Sequence, residues 1–272
     1  MENRRQKLEC LKETELFLFD MDGTLYLGNR LFDFTAELLS DLKKRGKQYR
    51  FMTNNSSKSV ADYVIKLKKM GIDSDRGDFI TSAQATVYYL KKNHPDACLY
   101  VCGTQSLREE FERAGFETTF DPERAQCIVM GFDTELTFQK LRDVSYLLCT
   151  RKIPYIATNP DYVCPTEFGF VPDCGSVCDM IFRATGQRPV VIGKPEALMP
   201  QLAMEEAGVL PEKTAVVGDR IYTDVESGLR AGCLGVLVMS GETTPAILRE
   251  SPVKPDLVLK DAAEILAVLR ED

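Results

Sequence analysis

Two aspartates, Asp20 and Asp22, carry the most chemically suggestive spacing in the chain. They follow an apolar run, residues 16–19, that predicts a buried strand. Residues two apart on an extended backbone point to the same side, so both carboxylates would be presented together. At about 4 Å and an effective dielectric constant of about 20 they repel by about 4 kcal/mol, so a cation or a proton must intervene. The same Asp-x-Asp-Gly pattern also fits a turn that only closes the strand. An EF-hand loop is a poorer fit, because residues 25–27 are apolar and the final Glu is missing.

A second polar cluster follows the apolar run of residues 49–53. Thr53 ends this run, and Asn54 and residues 55–58 lead into a predicted helix. A hydroxyl, an amide and free backbone N–H groups at a helix N-terminus form an anion-binding site. The same residue types serve as ordinary N-caps, so this segment taken alone fits either role.

Lys194, Asp219 and Asp224 supply a cation and two more carboxylates after two later apolar runs, residues 190–192 and 214–217. The ammonium of Lys194 is a point charge suited to a phosphate, although a lone Gly-Lys-Pro segment is usually solvated surface. Asp219 follows its strand closely, and Asp224 stands near the start of the next predicted helix. There it either faces the same site or serves only as a partner of the helix dipole.

Buried parallel strands are predicted to position these side chains. Apolar runs too continuous for half-exposed strands alternate with helical patterns, which is the rhythm of βαβ units in a doubly wound α/β sheet. In such a sheet the carboxyl ends of the strands meet at one edge, where ligands bind. The predicted core strands are residues 16–19, 49–53, 190–192, 214–217, 234–239 and, more weakly, 257–259.

At 272 residues the chain is about twice the usual size of a single domain. A middle segment has strand-like runs of its own, at residues 98–102, 127–130 and 154–158. Because the polar strand ends lie on both sides of it, the economical arrangement is a Rossmann-like core with an inserted α/β domain. We expect a core of residues 1–81 and 182–272 and an inserted domain of residues 82–181.

The composition of the chain argues against several kinds of partner, metal site and cellular compartment. The net charge of −7 argues against a nucleic acid or an anionic membrane as the main partner. Nine Cys, an odd number, cannot all pair within one chain, which favours a reducing compartment. A single His and no matching pair of ligands argue against a zinc site. With no apolar leader and no run of membrane-spanning length, the expectation is a cytoplasmic protein.

Taken in order, these segments resemble the motif series of the haloacid dehalogenase (HAD) superfamily of phosphatases. The series is Asp-x-Asp-Gly-Thr at residues 20–24, the strand end at Thr53, Lys194, and Gly-Asp-x-x-x-x-Asp at residues 218–224. The likeness runs over nearly the whole chain. The place of the insertion resembles the C2 type of cap domain, and residues 157–161 resemble the NagD and p-nitrophenyl phosphatase branch.

The resemblance implies that Asp20 is a nucleophile and Asp22 a general acid and base. Asp20 would attack phosphorus in line and form an aspartyl-phosphate, which splits one difficult displacement into two easier steps. Asp22 would protonate the leaving oxygen and then take a proton from the water that hydrolyses the intermediate. Dehalogenases of this superfamily lack the second acid, so Asp22 favours phosphoryl transfer over carbon–halogen displacement.

It also implies a Mg²⁺ cofactor, because like charge opposes the attack of a carboxylate on a phosphate dianion. The expected metal ligands are Asp20, Asp219, the backbone carbonyl of Asp22 and, through water, Asp224. The expected phosphate-binding groups are Thr53, the backbone N–H of Asn54 and Lys194.

The inserted domain is expected to close over the site and to contact the leaving group. Asn159 and Asp161 are its candidate substrate contacts, although an Asn-Pro-Asp turn after a strand is an equally good interpretation. Residues 172–175, Pro-Asp-Cys-Gly, depart from the Pro-Gly-x-Gly turn usual in this branch. Relatives with this cap type often dimerise, so a homodimer is an implication of the resemblance.

The function predicted is hydrolysis of small phosphorylated metabolites, such as sugar phosphates and nucleoside monophosphates, with p-nitrophenyl phosphate as a substrate in vitro. Two alternatives stay open from the sequence. One is a phosphotransferase or phosphomutase of the same superfamily, which passes the phosphoryl group to an acceptor other than water. The other is a non-catalytic protein that binds a phosphorylated ligand on a HAD core.

Overall fold

The computed structural model describes residues 2–166 and 168–271. Its strands are β1 (Leu16–Phe19), β2 (Tyr26–Leu27), β3 (Arg30–Leu31), β4 (Gln48–Thr53), β5 (Phe79–Thr81), β6 (Leu99–Cys102), β7 (Thr118–Thr119), β8 (Cys127–Met130), β9 (Tyr155–Ala157), β10 (Val163–Thr166), β11 (Gly169–Pro172), β12 (Val190–Val191), β13 (Thr214–Gly218), β14 (Leu234–Val238) and β15 (Leu257–Leu259). Its α-helices are α1 (Glu2–Glu13), α2 (Thr35–Lys44), α3 (Val60–Lys69), α4 (Ser82–Asn93), α5 (Gln105–Arg113), α6 (Phe138–Thr150), α7 (Cys174–Thr185), α8 (Leu198–Ala207), α9 (Glu226–Arg230), α10 (Pro245–Glu250) and α11 (Ala263–Arg270). Across residues 2–166 and 168–271, no helix is long and apolar enough to cross a membrane.

The chain folds as two compact units. The first unit comprises Met1–Thr53, Val64–Ile80 and Lys194–Asp272, and the second comprises Asn54–Tyr63 and Thr81–Gly193. Residues 54–63 and 182–193 therefore group with the middle segment, outside the range of 82–181 expected from the sequence. Hydrogen bonds explain this grouping in part, since the Ser56 hydroxyl contacts Thr158 and β12 pairs with β9.

The first unit is built on a sheet with strand order β15-β14-β13-β1-β4-β5. β1 lies between β13 and β4 and is parallel to both, with Phe19 in register with Val217 and Phe51. All four residues of β1 are fully buried, as expected for a parallel strand covered on both faces. Helices α1 and α2 each contact α11, whereas α8 contacts α9 and the strands β1 and β4. The doubly wound α/β class predicted from the sequence is confirmed.

The second unit has its own parallel sheet, with strand order β12-β9-β8-β6-β7. Helices α6 and α7 contact each other beside this sheet, and their apolar side chains join those of β8 and β9 in one core cluster. An antiparallel hairpin, β10 with β11, leads into α7.

One strand assignment from the sequence is wrong. Residues 190–192 were expected in the core sheet, but β12 pairs with β9 in the sheet of the second unit. The physical reason is that a short run of branched residues indicates burial and extension without indicating a partner strand. The sequence pattern also missed β5 and the N-terminal helix α1.

We predict that Phe51→Ala lowers the free energy of unfolding by about 3–5 kcal/mol, because it leaves a cavity beside Phe79. Phe51 is fully buried in β4, and its ring centroid lies 5.2 Å from that of Phe79. Urea denaturation monitored by circular dichroism measures the change. Phe138→Ala is the matched control, because Phe138 is 80% exposed and its loss is expected to change stability by no more than about 0.5 kcal/mol. Equal effects of the two variants would contradict this description of the core.

Candidate active site

Three carboxylates meet at the carboxyl edge of the sheet in the first unit. The backbone N–H of Asp20 donates to the carbonyl of Val217 (2.8 Å), which extends the β1–β13 ladder by one residue. Asp219 follows β13, and Asp224 lies in a π-helical turn, Ile221–Val225, that precedes α9. Each of the three offers an oxygen within 4.8 Å of those of the other two. Irregular helical turns of this kind are often found at functional sites.

The ammonium of Lys194 lies among these carboxylates and is almost fully buried. Its Nζ donates to Asp20 Oδ1 (2.7 Å), to Asp224 Oδ1 (2.6 Å) and to the carbonyl of Met52 (3.1 Å). Burial opposes its charge, but the carboxylates of Asp20 and Asp224 outweigh burial and raise the pKa of Lys194 above its ordinary value. Lys194 is therefore a permanent cation, and the surface role that its sequence context alone permitted does not apply.

Asp219 and Asp224 differ in how many of their oxygens are already bonded. Asp219 Oδ2 accepts a hydrogen bond from the backbone N–H of Glu242 (2.6 Å), but its Oδ1 is buried without a hydrogen-bond partner. Both oxygens of Asp224 accept hydrogen bonds, Oδ1 from Lys194 and Oδ2 from the backbone N–H of Arg220 (3.0 Å). A buried carboxylate oxygen without a donor is costly unless a cation binds it, so Asp219 is suited to contact a metal directly.

The electrostatics of this cluster also favour a cation. Burial raises the pKa of Asp20 well above its ordinary value, and the negative charges of Asp224 and Asp219 add to this while Lys194 acts against it. Burial and the charge of Asp224 raise the pKa of Asp219 to about 7. One ammonium cannot neutralise three carboxylates. Hard oxygen ligands with excess negative charge fit a divalent cation such as Mg²⁺.

The loop after β14 contributes contacts that the sequence patterns did not single out. Besides the N–H of Glu242, it supplies Gly241, where a Cβ atom would lie 2.0 Å from Asp219 Oδ2. The carboxylate of Glu242 also pairs with the guanidinium of Arg220 (2.8 Å). The predicted strand of residues 234–239 could have pointed to this loop. The polar residues that follow a parallel strand lie at the same edge of the sheet as the other strand ends.

Asp22 and Thr53 lie at the same edge without joining the carboxylate cluster. The side chain of Asp22 is exposed, and its Oδ1 accepts a hydrogen bond from the backbone N–H of Gly28 (3.2 Å) in the turn between β2 and β3. Gly23, between Asp22 and this hairpin, has a φ of +85°, a conformation that favours glycine. Thr53 is buried at the end of β4, next to β1 in the sheet.

The remaining predicted residues lie in the second unit and contact one another. Asp161 Oδ2 accepts hydrogen bonds from the side-chain amides of Asn54 (2.8 Å) and Asn159 (2.9 Å). Asn159 is completely buried, and Asn54 and Asp161 are nearly so. The role of Asn54 in phosphate binding and the roles of Asn159 and Asp161 in substrate contact stay predictions.

Asp173 shows how the departure from the usual Pro-Gly-x-Gly turn is accommodated. It is the N-cap of α7, with an extended backbone (φ −108°) that does not require glycine. Gly175 is retained, and a Cβ atom there would lie 2.1 Å from the carbonyl oxygen of Pro160. An aspartate therefore fits at this position without backbone strain and places a carboxylate at the start of α7.

Comparison with known proteins agrees with this geometry. Residues 17–117 match the haloacid dehalogenase-like hydrolase family, and residues 191–265 match a family described as HAD-hydrolase-like. An acid sugar phosphatase of Staphylococcus haemolyticus is 33% identical over 96% of this chain and 99% of its own length. The chain belongs to the haloacid dehalogenase-like hydrolase family.

Two further relatives refine the position within the family. The 5′-nucleotidase YutF of Bacillus subtilis is 33% identical over 93% of this chain and 98% of its own length. A solved 4-nitrophenylphosphatase from Thermotoga maritima is 40% identical, covers 96% of this chain and 99% of its own, and superposes with a TM-score of 0.91. The predicted HAD fold, the p-nitrophenyl phosphatase branch and the class of phosphoric monoester hydrolase are thereby confirmed.

We predict that Gly241→Ala lowers kcat/KM for phosphate-monoester hydrolysis by about 100-fold, because the added methyl group must displace the carboxylate of Asp219. Steady-state kinetics at saturating Mg²⁺ measures the effect. Gly77→Ala is the control, since Gly77 is exposed and its new methyl group would approach only the Asp75 side chain, at 3.2 Å. An unchanged kcat/KM for Gly241→Ala would show that the position of Asp219 is unimportant.

Proposed function

We propose that this HAD-family phosphatase is magnesium-dependent and hydrolyses sugar phosphates and nucleoside monophosphates through an aspartyl-phosphate. The observation that carries the proposal is the cluster of Asp20, Asp219 and Asp224 around the buried ammonium of Lys194. The relatives that act on these two substrate classes are an acid sugar phosphatase and a 5′-nucleotidase, each matched over nearly its full length.

Asp20 is the nucleophile in this proposal. Its side chain is 15% exposed, whereas that of Asp224 is 1% exposed, so a substrate can reach Asp20. Lys194 holds one of its oxygens and favours the ionised form that must attack phosphorus. Attack by the other oxygen forms the acyl phosphate and releases the alcohol, and water then hydrolyses the acyl phosphate to inorganic phosphate.

Asp22 is the general acid and base. Its carboxyl is exposed and lies two residues beyond the nucleophile, so it can meet the leaving oxygen without being drawn into the buried cluster. The hydrogen bond from Gly28 to Oδ1 orients the group and leaves Oδ2 for proton transfer. In the first step it donates a proton to the leaving oxygen, and in the second it accepts one from the attacking water.

A divalent cation at this site would neutralise charge on the phosphoryl oxygens. Asp20, the unpartnered Oδ1 of Asp219 and the backbone carbonyl of Asp22 are the groups proposed to hold it. Asp224, whose oxygens both accept hydrogen bonds, orients this set and fixes Lys194. Thr53, the backbone N–H of Asn54 and Lys194 are proposed to hold the phosphoryl oxygens.

A cytoplasmic homodimer is part of the proposal. All nine cysteines are free thiols, which supports a reducing compartment. The dimer rests on the resemblance of the inserted domain to the caps of dimeric relatives.

We expect wild-type protein to release inorganic phosphate from sugar phosphates, nucleoside monophosphates and p-nitrophenyl phosphate with no added acceptor. Asp20→Asn is the blank, and it should lose turnover because an amide cannot form the acyl phosphate. Asp22→Ala should retain slow formation and slow hydrolysis of the intermediate, which a rapid-quench experiment with radiolabelled substrate separates.

Three outcomes of this screen would contradict the proposal. Ordinary turnover by Asp20→Asn would exclude the nucleophile. Loss of the substrate only in the presence of a second alcohol, with that alcohol phosphorylated and no inorganic phosphate released, would identify a phosphotransferase. Tight binding of phosphate esters without turnover would identify a binding protein.

Removal of divalent cations with excess EDTA should abolish phosphate release, because one ammonium leaves the carboxylate cluster negatively charged. Added Mg²⁺ should restore activity, and dialysed protein should bind Mg²⁺ in isothermal titration calorimetry. Asp219→Asn should weaken that binding, with Asp33→Asn, an aspartate outside the cluster, as the control. Full activity in excess EDTA would remove the metal from the mechanism.

A further inference from the structure

A buried network of polar side chains in the second unit lies where the chain enters and leaves it. Its centre is Asp161, whose Oδ2 accepts hydrogen bonds from Nδ2 of Asn54 (2.8 Å) and Nδ2 of Asn159 (2.9 Å). Asn54 is the first residue of this unit after Thr53. Because a carboxylate and two amides are buried together, these hydrogen bonds replace bonds that water would otherwise make.

The polar atoms of Asn159 are fully engaged. Its Nδ2 donates to Asp161 Oδ2 and to Asp173 Oδ1 (3.1 Å), and its Oδ1 accepts from the hydroxyl of Thr158 (2.9 Å). Both amide hydrogens are therefore used, and the side chain is 0% exposed. Asn159 could contact a leaving group only by breaking this network, which argues against its predicted role as a substrate contact.

The network continues to the segment after Asn54. The hydroxyl oxygens of Ser56 and Thr158 are 2.9 Å apart. The single hydroxyl hydrogen of Thr158 goes to Asn159, so Ser56 is the donor to Thr158. The hydroxyl oxygen of Ser56 also accepts a hydrogen bond from the backbone N–H of Phe132 (2.9 Å). The Ser82 hydroxyl donates to the backbone carbonyl of Asn54 (2.7 Å), so the backbone of residues 54–56 is held at several points.

The last residue of the second unit, Gly193, is held against the same residues. Its N–H donates to the carbonyl of Thr158 (2.8 Å), and a Cβ atom on Gly193 would lie 2.5 Å from both that carbonyl oxygen and Asn54 Oδ1. Asn54 is bonded to Thr53 and Gly193 is bonded to Lys194. The network thus holds together the two backbone segments that adjoin Thr53 and Lys194, the residues proposed to bind phosphate.

We infer that Asp161 and Asn159 are positioning residues of the phosphoryl site rather than contacts to the leaving group. They act through Asn54 and Gly193, whose backbone they set beside each other. The inference rests on the proposed phosphate-binding roles of Thr53, Asn54 and Lys194. Asp173, which stands where the branch usually has glycine, adds a second acceptor for Asn159 and belongs to the same network.

Kinetics with leaving groups of different chemistry tests the inference. We expect Asp161→Ala and Gly193→Ala to lower kcat/KM by about 10-fold to 100-fold, and by the same factor for a sugar phosphate, a nucleoside monophosphate and p-nitrophenyl phosphate. The inhibition constant of inorganic phosphate should rise as well, since phosphate has no leaving group. Asp161→Asn, which keeps an acceptor for the two amides, should recover part of the loss.

Asp143→Ala is the matched control. Asp143 is also a buried carboxylate of the second unit with two side-chain donors, Tyr100 (2.8 Å) and Gln139 (2.7 Å). It should lower the melting temperature as Asp161→Ala does, but leave kcat/KM and phosphate inhibition unchanged. A double-mutant cycle of Asn54→Ala with Asp161→Ala should be non-additive in phosphate inhibition, because the two side chains act as one contact.

Two results would overturn the inference. Losses that differ between leaving groups, with unchanged phosphate inhibition, would make Asp161 a substrate contact. A lower melting temperature with unchanged kinetics, as for Asp143→Ala, would make the network merely structural. If Asp161→Ala fails to fold, Asp161→Asn and Asn54→Ala carry the same readouts. Calorimetric titration of wild type and variants with inorganic phosphate and Mg²⁺ separates this test from the proposed function, because it needs no turnover.

Discussion

The buried ammonium of Lys194 between the carboxylates of Asp20 and Asp224 is the interaction on which the site depends. Asp20, Asp219 and Asp224 converge so closely that they would repel strongly without a cation among them. Lys194 removes part of that repulsion and acts against the rise in the pKa of Asp20 that burial causes. Loss of one partner from such a buried pair costs about 3–5 kcal/mol, because the other charge is left uncompensated. The remaining negative charge is what makes the cluster suited to a divalent cation.

The parallel sheet makes this concentration of charge possible. All of β1 and β13 and the last three residues of β4 are buried, and parallel pairing holds the carboxyl ends of these strands in fixed register. Polar residues directly after these strands are therefore held close to one another. Apolar burial thus stabilises the sheet, and the polar residues at the strand ends supply the chemistry. The close approach of Gly241 to Asp219 shows how little space the edge leaves.

The second unit uses polar contacts differently. Side-chain amides bind the carboxylate of Asp161, and a side-chain amide and a backbone N–H bind that of Asp173. Such hydrogen bonds are directional, so they fix the orientation of the backbone as well as the position of the side chains. The polar residues of the two units therefore serve separate purposes: one set binds charge, and the other holds the chain that leads to the charge-binding residues.

The sequence by itself determined the chemistry and its place along the strands. Apolar runs ending in Asp20, Thr53 and Asp219 predict one site, because parallel strands bring their carboxyl ends to one edge. Only the tertiary structure decided which strands pair and which side chains hydrogen-bond to each other. Nothing in a two-residue strand shows that β12 pairs with β9, and Asn54 and Asp161 are separated by 107 positions in the chain. The physical reason is that periodicity reports whether a side chain is buried, whereas a hydrogen-bond partner depends on which distant segments the fold brings together.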